Sequence, residues 1–305
     1  MRLCARTAKP ALVVLVLTVA ACSAPSQSQP IRSATVASSR LVPKTKALDI
    51  PSILAGFNPI LQRIGALNEA GQMNASTDPN WWLSSGGRLI VRNDVVQTIQ
   101  GSLPENDPWR SKYASESATD SDNGAHPQNL FRLVSQRTFQ QPRQEVFVRI
   151  DHLNLSKSSE RDAWSGIFLM SAYAADGDTL YYTGIRMDGH AVIKKKDLKL
   201  PGDHYADPLA ENTVFPGEYN RDNHPNLLPL DTWIGLRSTI IHSSSNSVTI
   251  TLESDLGQPG KWRTVATAID RHAGGIGPIT EPGNTGIRTD FMDASFRNYS
   301  VAEAP

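Results

Sequence analysis

The feature that most constrains the fold is a succession of short apolar segments, separated by turn residues, that runs from Trp81 to the end of the chain. These segments are rich in β-branched and aromatic residues, and the 305-residue chain has 20 prolines and 21 glycines. Predicted strands occupy 88–92, 95–99, 130–139, 143–151, 164–173, 181–187, 190–196, 232–242, 247–253, 262–269, 286–291 and 295–301. Many short strands between such turns predict an all-β sandwich.

The stretch from Tyr181 to Lys196 is typical of a β-hairpin. Asp188 and Gly189 suit a two-residue loop, because both of its central positions need a positive φ. This loop would place Met187 opposite His190 and so set the register of the two strands.

In that register one face of the hairpin carries an aromatic ring and two cations. Since side chains alternate across a strand, Tyr182, Arg186 and Lys195 would share this face with Gly184 and Ala191. The two small residues would leave room for a flat ligand with polar or anionic groups. The alternative is an outer face whose long side chains are simply solvated.

A second strand could add to this site. Alternation puts Glu145, Phe147 and Arg149 on one face of segment 143–151. Arg149 would then join the hairpin residues if both strands lie in the same sheet.

The N-terminus predicts export. Arg2, Arg6 and Lys9 precede an apolar run, residues 11–20, that is too short to span a bilayer. Residues 19–22 then resemble the cleavage box of bacterial lipoproteins. This resemblance implies a signal peptide over 1–21, lipidation of Cys22, and a cell-envelope location facing the periplasm or the exterior. An ordinary secretory signal, with Cys22 incidental, is the alternative.

Three regions would precede or form the folded domain. Residues 22–46 are rich in Ser, Ala, Gln and Pro and predict a flexible tether. Residues 47–79 form a lead-in, in which helical spacing of apolar residues predicts a short helix over about 59–69. Residues 80–305 would form the sandwich.

The closing segments Asp231–Arg237, Val248–Leu252, Lys261-Trp262 and Thr285–Val301 resemble the second half of concanavalin A-like lectin/glucanase domains. The resemblance implies a jelly roll from about residue 80 to 301. It also implies a polysaccharide or another glycan as partner. On the strand faces described above, Tyr182 would then stack on a sugar ring, and Arg149, Arg186 and Lys195 would hold hydroxyls or carboxylates.

The family also contains enzymes and adhesion modules, so two alternatives stay open. One is a polysaccharide lyase or an atypical glycosidase on the same face, and the other is a structural module without glycan affinity. A retaining glucanase of this fold carries Glu-x-Asp-x-x-Glu. The nearest match starts at Glu253 but has Gln258 in place of the acid, which disfavours that enzyme.

The charge balance and the spacing of the histidines limit the kinds of partner and cofactor that the chain is expected to bind. The chain has 30 basic and 30 acidic residues, so no basic excess points to nucleic acid. The seven histidines lack the spacing of a catalytic metal site. We expect no cofactor and a monomer; the alternative is a structural calcium ion held by Asp290 or Asp293.

Overall fold

The computed structural model describes residues 65–92, 95–174, 177–202, 204–244 and 246–305. The predicted signal peptide, Cys22 and the tether lie outside the described residues. Within the described ranges, no helix is long and apolar enough to cross a membrane.

The described residues form fifteen strands and one α-helix, together with three short 3-10 turns. In chain order the elements are β1 (Ala66–Asn68), β2 (Trp81–Ser85), β3 (Arg88–Arg92), β4 (Val95–Gln97), α1 (Pro108–Glu116), β5 (Leu130–Phe139), β6 (Pro142–Leu153), β7 (Gly166–Tyr173), β8 (Leu180–Arg186), β9 (His190–Lys196), β10 (Ala210–Thr213), β11 (Trp233–Ser243), β12 (Ser247–Ser254), β13 (Arg263–Asp270), β14 (Gly283–Asp290) and β15 (Met292–Glu303).

The strands form two antiparallel sheets that face each other. One has the order β1-β3-β4-β15-β6-β11-β12-β13, and the other β10-β9-β8-β7-β14-β5-β2. A single large cluster of buried side chains draws on both sheets, for example Val148 and Ile234 from the first and Leu169 and Ile287 from the second. The predicted all-β sandwich is confirmed.

Two local predictions were wrong. Residues 59–64 of the predicted helix lie outside the described residues, and in the remainder Ala66–Asn68 form β1, which pairs with β3. Residues 102–127, for which the sequence predicted neither strand nor helix, contain α1, which begins at Pro108. Asp107 caps this helix by accepting a hydrogen bond from the Trp109 backbone N–H, and proline is favoured at a first helical position because its missing N–H is not needed there.

The predicted register of the β8–β9 hairpin was also wrong, by one residue. Tyr182 pairs with Lys194, not with Lys195. The loop has three residues and not two, with Gly189 at φ 79° and its N–H donating to the Arg186 carbonyl at 3.0 Å. A one-residue slip turns every side chain of a strand to the other face, so Lys195 points into the core.

Candidate functional site

A pocket of about 810 Å³ lies on the outer face of the seven-stranded sheet. We call this surface the pocket face. Its strands contribute the floor of the pocket, and the loops before β7 and after β9 contribute much of the rim. The floor residues are Arg132, Phe168, Tyr182, Lys194, Arg288 and Asp290.

Two arginines stand side by side on the floor. Arg132 of β5 and Arg288 of β14 occupy directly opposed positions on neighbouring strands. Arg288 Nε lies 2.7 Å from an Asp290 carboxylate oxygen. Burial disfavours the charged form of Arg288, but its interactions with Asp290, Tyr182 and Tyr205 together outweigh this effect, and the pKa of Arg288 is raised.

Tyr182 lies deep in the floor and is only 3% exposed. Its ring packs edge-on against Phe168, with centroids 6.0 Å apart, and stacks with Tyr205 at 6.3 Å. Its hydroxyl is buried beside Arg288, whose guanidinium acts on it as a hydrogen-bond donor. Burial raises the pKa of Tyr182, but the nearby charges of Arg288 and Arg132 outweigh it, and the net pKa is lowered.

Gly184 does not leave open space beside Tyr182, as the hairpin pattern had predicted. A Cβ at this position would come within 2.7 Å of the Phe168 ring and 2.1 Å of the Ile167 carbonyl oxygen. The glycine therefore allows Phe168 of the neighbouring strand to lie close over β8.

Trp164 forms an aromatic wall at the rim and is 42% exposed. The Arg186 guanidinium lies 3.9 Å from its ring centroid, and the Lys194 ammonium 4.2 Å. Asp162 accepts the Trp164 backbone N–H at 2.7 Å and anchors the loop. The sequence prediction placed Trp164 at the start of a strand and missed it as a site residue; a tryptophan that just precedes a strand was the available signal.

Tyr205 forms a second aromatic wall. The Lys194 ammonium lies 4.3 Å from its ring centroid, so this cation stands between the rings of Tyr205 and Trp164. Tyr205 lies in the segment between β9 and β10, and Asp207 and Pro208 of the same segment also line the pocket.

The rim is acidic, in contrast to the floor. Asp120, Glu160, Asp162 and Asp207 lie on loops around the opening. Asp120 accepts a hydrogen bond from the Ser158 hydroxyl at 2.5 Å, which joins two of these loops. Carboxylate oxygens can accept several hydrogen bonds each, so this rim is suited to hydroxyl groups.

The structure does not bring the four predicted ligand residues together. Tyr182 lies in the pocket, and its binding role stays a prediction. Arg186 is buried beneath Trp164 and forms ion pairs with Asp188 and Glu211, so it supports the site without lining it.

Lys195 lies between the sheets and not on the pocket face. Its ammonium is 3.1 Å from Asp270, and both side chains are fully buried. The register slip is the physical reason for this difference.

Arg149 belongs to β6 of the eight-stranded sheet, so it cannot share a face with Tyr182. It pairs with Asp151 at 2.6 Å, and its guanidinium lies 5.1 Å from the Trp233 ring centroid. The set of Arg149, Tyr182 and Lys195 that a lyase would need is therefore not assembled.

The acidic residues of the glucanase-like segment are engaged elsewhere. Glu253 pairs with Arg237 at 3.4 Å, on the eight-stranded sheet. Asp255 accepts the backbone N–H groups of Gly235 and Gly257 at 2.7 and 3.0 Å. These contacts give both carboxylates structural roles.

The residues suggested for calcium also have protein partners. Asp293 accepts hydrogen bonds from Gly101, Gln128 and Asn154 at 2.7–3.0 Å, and Asp290 holds Arg288. Across the part of the chain that the structure describes, no group of three or more His, Cys, Asp or Glu side chains is placed to hold a metal ion.

A separate hydrogen-bonded chain lies beside α1. The Ser102 hydroxyl is 2.7 Å from His126 Nε2, and His126 Nδ1 is 2.8 Å from an Asp122 carboxylate oxygen. Asn129 also donates to that oxygen at 3.3 Å. An ionised carboxylate only accepts hydrogen bonds, so this geometry suits a neutral histidine that donates from Nδ1 to Asp122 and accepts from Ser102 at Nε2. Asp122 and His126 line a second pocket of about 540 Å³.

The fold and pocket define a two-sheet β-sandwich with an aromatic-walled, charged cavity on one sheet. No family model matches the chain, and no curated protein is similar to it in sequence. Among solved structures, it is similar to the carbohydrate-binding module CBM66 from Bacillus subtilis, with 12% identity over 73% of this chain and 95% of that chain, at a TM-score of 0.42.

Two further structures have comparable similarity. The exoplasmic/lumenal domain of VIP36, in a form with bound Ca²⁺ and mannose, is 12% identical over 80% of this chain and 91% of that chain, with a TM-score of 0.41. A legume lectin-like domain from Entamoeba histolytica is 10% identical over 74% of this chain and 91% of that chain, with a TM-score of 0.36. The strands and sheets of the chain itself define its fold.

Proposed function

We propose that this protein binds a glycan in the pocket of the seven-stranded sheet. The observation that carries the proposal is the exposed ring of Trp164 at the wall of a large polar pocket. An aromatic ring offers a flat apolar surface to the C–H face of a sugar. Acidic and basic side chains around it supply acceptors and donors for hydroxyl groups.

The position of Trp164 also supports this function, because the ring is held in place before any ligand arrives. Arg186 packs against it from below, and Asp162 holds its backbone. Arg161, in the same loop, donates to the carbonyls of Ser156 and Arg221 at 2.6 and 2.9 Å. Groups that are already ordered lose less conformational entropy on binding.

The test compares two tryptophan variants of the full chain on an array of neutral and acidic polysaccharides. Trp164→Ala is expected to lose glycan binding. Trp233→Ala, on the eight-stranded sheet, is the matched control and is expected to keep it. Loss of binding in Trp233→Ala alone would place the site on the other sheet, and an array without any binding would leave a structural module as the better description.

For location, the proposal is an exported protein anchored to the bacterial cell envelope through lipid on Cys22. The charged start, the short apolar run and the cleavage-box resemblance support it. Metabolic labelling with a fatty-acid analogue tests it: incorporation is expected in the wild-type chain and not in Cys22→Ser. Equal labelling of both chains would reject Cys22 as the lipid site.

One arrangement favours a second candidate function, the hydrolysis of an acyl ester. In the chain Ser102–His126–Asp122 the histidine is oriented to take the serine proton. Ser102 would then attack the ester carbonyl, and His126 would return the proton to the departing alcohol. Water would release the acyl group in a second step.

A fluorophosphonate probe tests this candidate, since it labels only activated serines. Labelling is expected in the wild-type chain and in Ser115→Ala, an exposed serine on α1, but not in Ser102→Ala. Labelling that persists in Ser102→Ala, or that never occurs, would reject the candidate and leave the three residues a structural role.

A further inference from the structure

The floor of the pocket face has an unusual distribution of charge. Arg132 and Arg288 are directly opposite each other on β5 and β14. Like charges in such cross-strand pairs repel and destabilise a sheet. Asp290 neutralises Arg288, whereas Arg132 forms no ion pair with any carboxylate among the described residues.

A second observation on the same floor is the burial of Tyr182 beside the two arginines. The Tyr182 side chain is more than nine-tenths buried, and the Arg288 guanidinium acts on its hydroxyl as a hydrogen-bond donor. The hydroxyl belongs to the pocket lining, beside the same arginines whose charge lowers its pKa.

The charges of the rim do not cancel those of the floor, because the two sets occupy different places. Asp120, Glu160, Asp162 and Asp207 lie on loops, while Arg132 and Arg288 lie on strands. A ligand that complements both rim and floor must place hydroxyl groups, which donate hydrogen bonds, toward the acidic opening and negative charge toward the basic floor.

We propose that the pocket selects a sugar unit that carries an acidic group, and that Arg132 and Arg288 bind this group. This inference rests on the proposed function and names its ligand class. The planar guanidinium forks match the two oxygens of a carboxylate and can also hold a sulfate. The rim carboxylates would accept from the hydroxyls of the same or the next unit.

The experiment measures binding of the full chain, by calorimetry, to three matched sets of oligosaccharides: uronic-acid oligomers, the same oligomers with their carboxyl groups reduced to alcohols, and sulfated neutral oligomers. The acidic sets are expected to bind about tenfold tighter or more than the reduced set. Their affinity should also fall with added salt, which screens the attraction between ligand and floor. Whichever of the uronate and sulfate sets binds with higher affinity identifies the acidic group that the pocket prefers.

Variants then test whether the preference for acidic oligosaccharides comes from the arginines on the pocket floor. Arg132→Gln and Arg288→Gln are each expected to lower the affinity for the acidic set toward that of the reduced set, and Arg132→Lys to lie in between because it keeps the charge but not the fork. Arg137→Gln is the matched control, since Arg137 is an exposed residue of the same strand, β5, outside the pocket lining. Thermal unfolding of each variant checks that the sheet is intact.

The outcomes separate this inference from the function on which it rests. Equal affinity for acidic and reduced oligomers, with both lost in Trp164→Ala, would overturn the acidic selection and keep glycan binding. Unchanged selection in both arginine-to-glutamine variants would also overturn it. No binding to any set would overturn both.

Discussion

Lys195 and Asp270 form an ion pair that is completely enclosed between the two sheets, with 3.1 Å between the ammonium and a carboxylate oxygen. The remaining ammonium protons reach the carbonyls of Ile276 and Gly277 at 3.0 and 2.6 Å. Asp270 also accepts the Tyr181 hydroxyl at 2.6 Å. The pair thus ties the segment after β13 to the core of the sandwich.

We expect Lys195→Met to destabilise the protein by roughly 3–5 kcal/mol, because it leaves the Asp270 carboxylate buried without its cation. The measurement is the free energy of unfolding in urea. The double variant Lys195→Met with Asp270→Asn should regain part of this loss, since the asparagine is neutral and can still accept from Tyr181. A loss below about 1 kcal/mol in the single variant would show that water reaches the site.

Gly189 supplies a second stability prediction. It has φ 79°, and an added Cβ would lie 1.9 Å from the Phe215 carbonyl oxygen. Gly189→Ala is expected to cost roughly 3 kcal/mol or more, from backbone strain together with the clash.

Gly260→Ala is the matched control for this clash, because Gly260 has φ 76° but nothing lies within 4 Å of the added Cβ. Its cost should be roughly 1 kcal/mol. The difference between the two free energies of unfolding measures the contact with Phe215, and equal costs would mean that the loop after β10 moves away freely.

Tyr182 predicts a pH dependence of binding to acidic glycans. The cations of the floor lower its pKa below the ordinary value of 10.0. As pH rises through this lowered pKa, the phenolate forms and competes with the ligand for Arg132 and Arg288, so affinity should fall. The measurement is glycan affinity as a function of pH for the wild-type protein and Tyr182→Phe. The decrease in affinity caused by the phenolate should be absent in the variant, and parallel pH profiles of the two proteins would contradict the prediction.

Arg186 is expected to act on binding through Trp164. Arg186→Met removes the cation beneath the ring and leaves Asp188 and Glu211 without it, at an expected cost of about 1–2 kcal/mol in unfolding free energy. Glycan affinity should fall together with stability in Arg186→Met. Arg186→Lys, which keeps the positive charge, should lose less of each. A variant that binds normally, with an unchanged NMR signal of the Trp164 indole, would show that the loop holds the ring alone.

Strand positions could be predicted well because they depend on local patterns. The segment 130–139 coincides with β5, and 190–196 with β9. Alternating side chains and adjacent turn residues are enough to locate such strands. The helix α1 was missed because its residues are mostly polar and only Tyr113 is buried.

The site could be predicted only in part, because its assembly depends on distant contacts. No local sequence pattern determines that β6 joins one sheet and β8 the other. This assignment of strands to different sheets separates Arg149 from Tyr182. The extra residue in the hairpin loop then exchanges Lys195 for Lys194 on the pocket face. Trp164 reaches the pocket because Arg186, which lies over twenty residues later in the chain, supports it.

The pairing of central strands has a consequence for how the chain acquires its fold. β5 pairs with β14 and β6 with β15, so partners in the middle of both sheets are separated by about 150 residues. The seven-stranded sheet cannot be completed until synthesis has passed residue 290, and the eight-stranded sheet not until it has passed residue 303. The nascent chain therefore remains without a closed core for most of its elongation, a state that exposes apolar strands to chaperones. If the chain is exported as proposed, this delay would keep it extended enough to thread through an export channel.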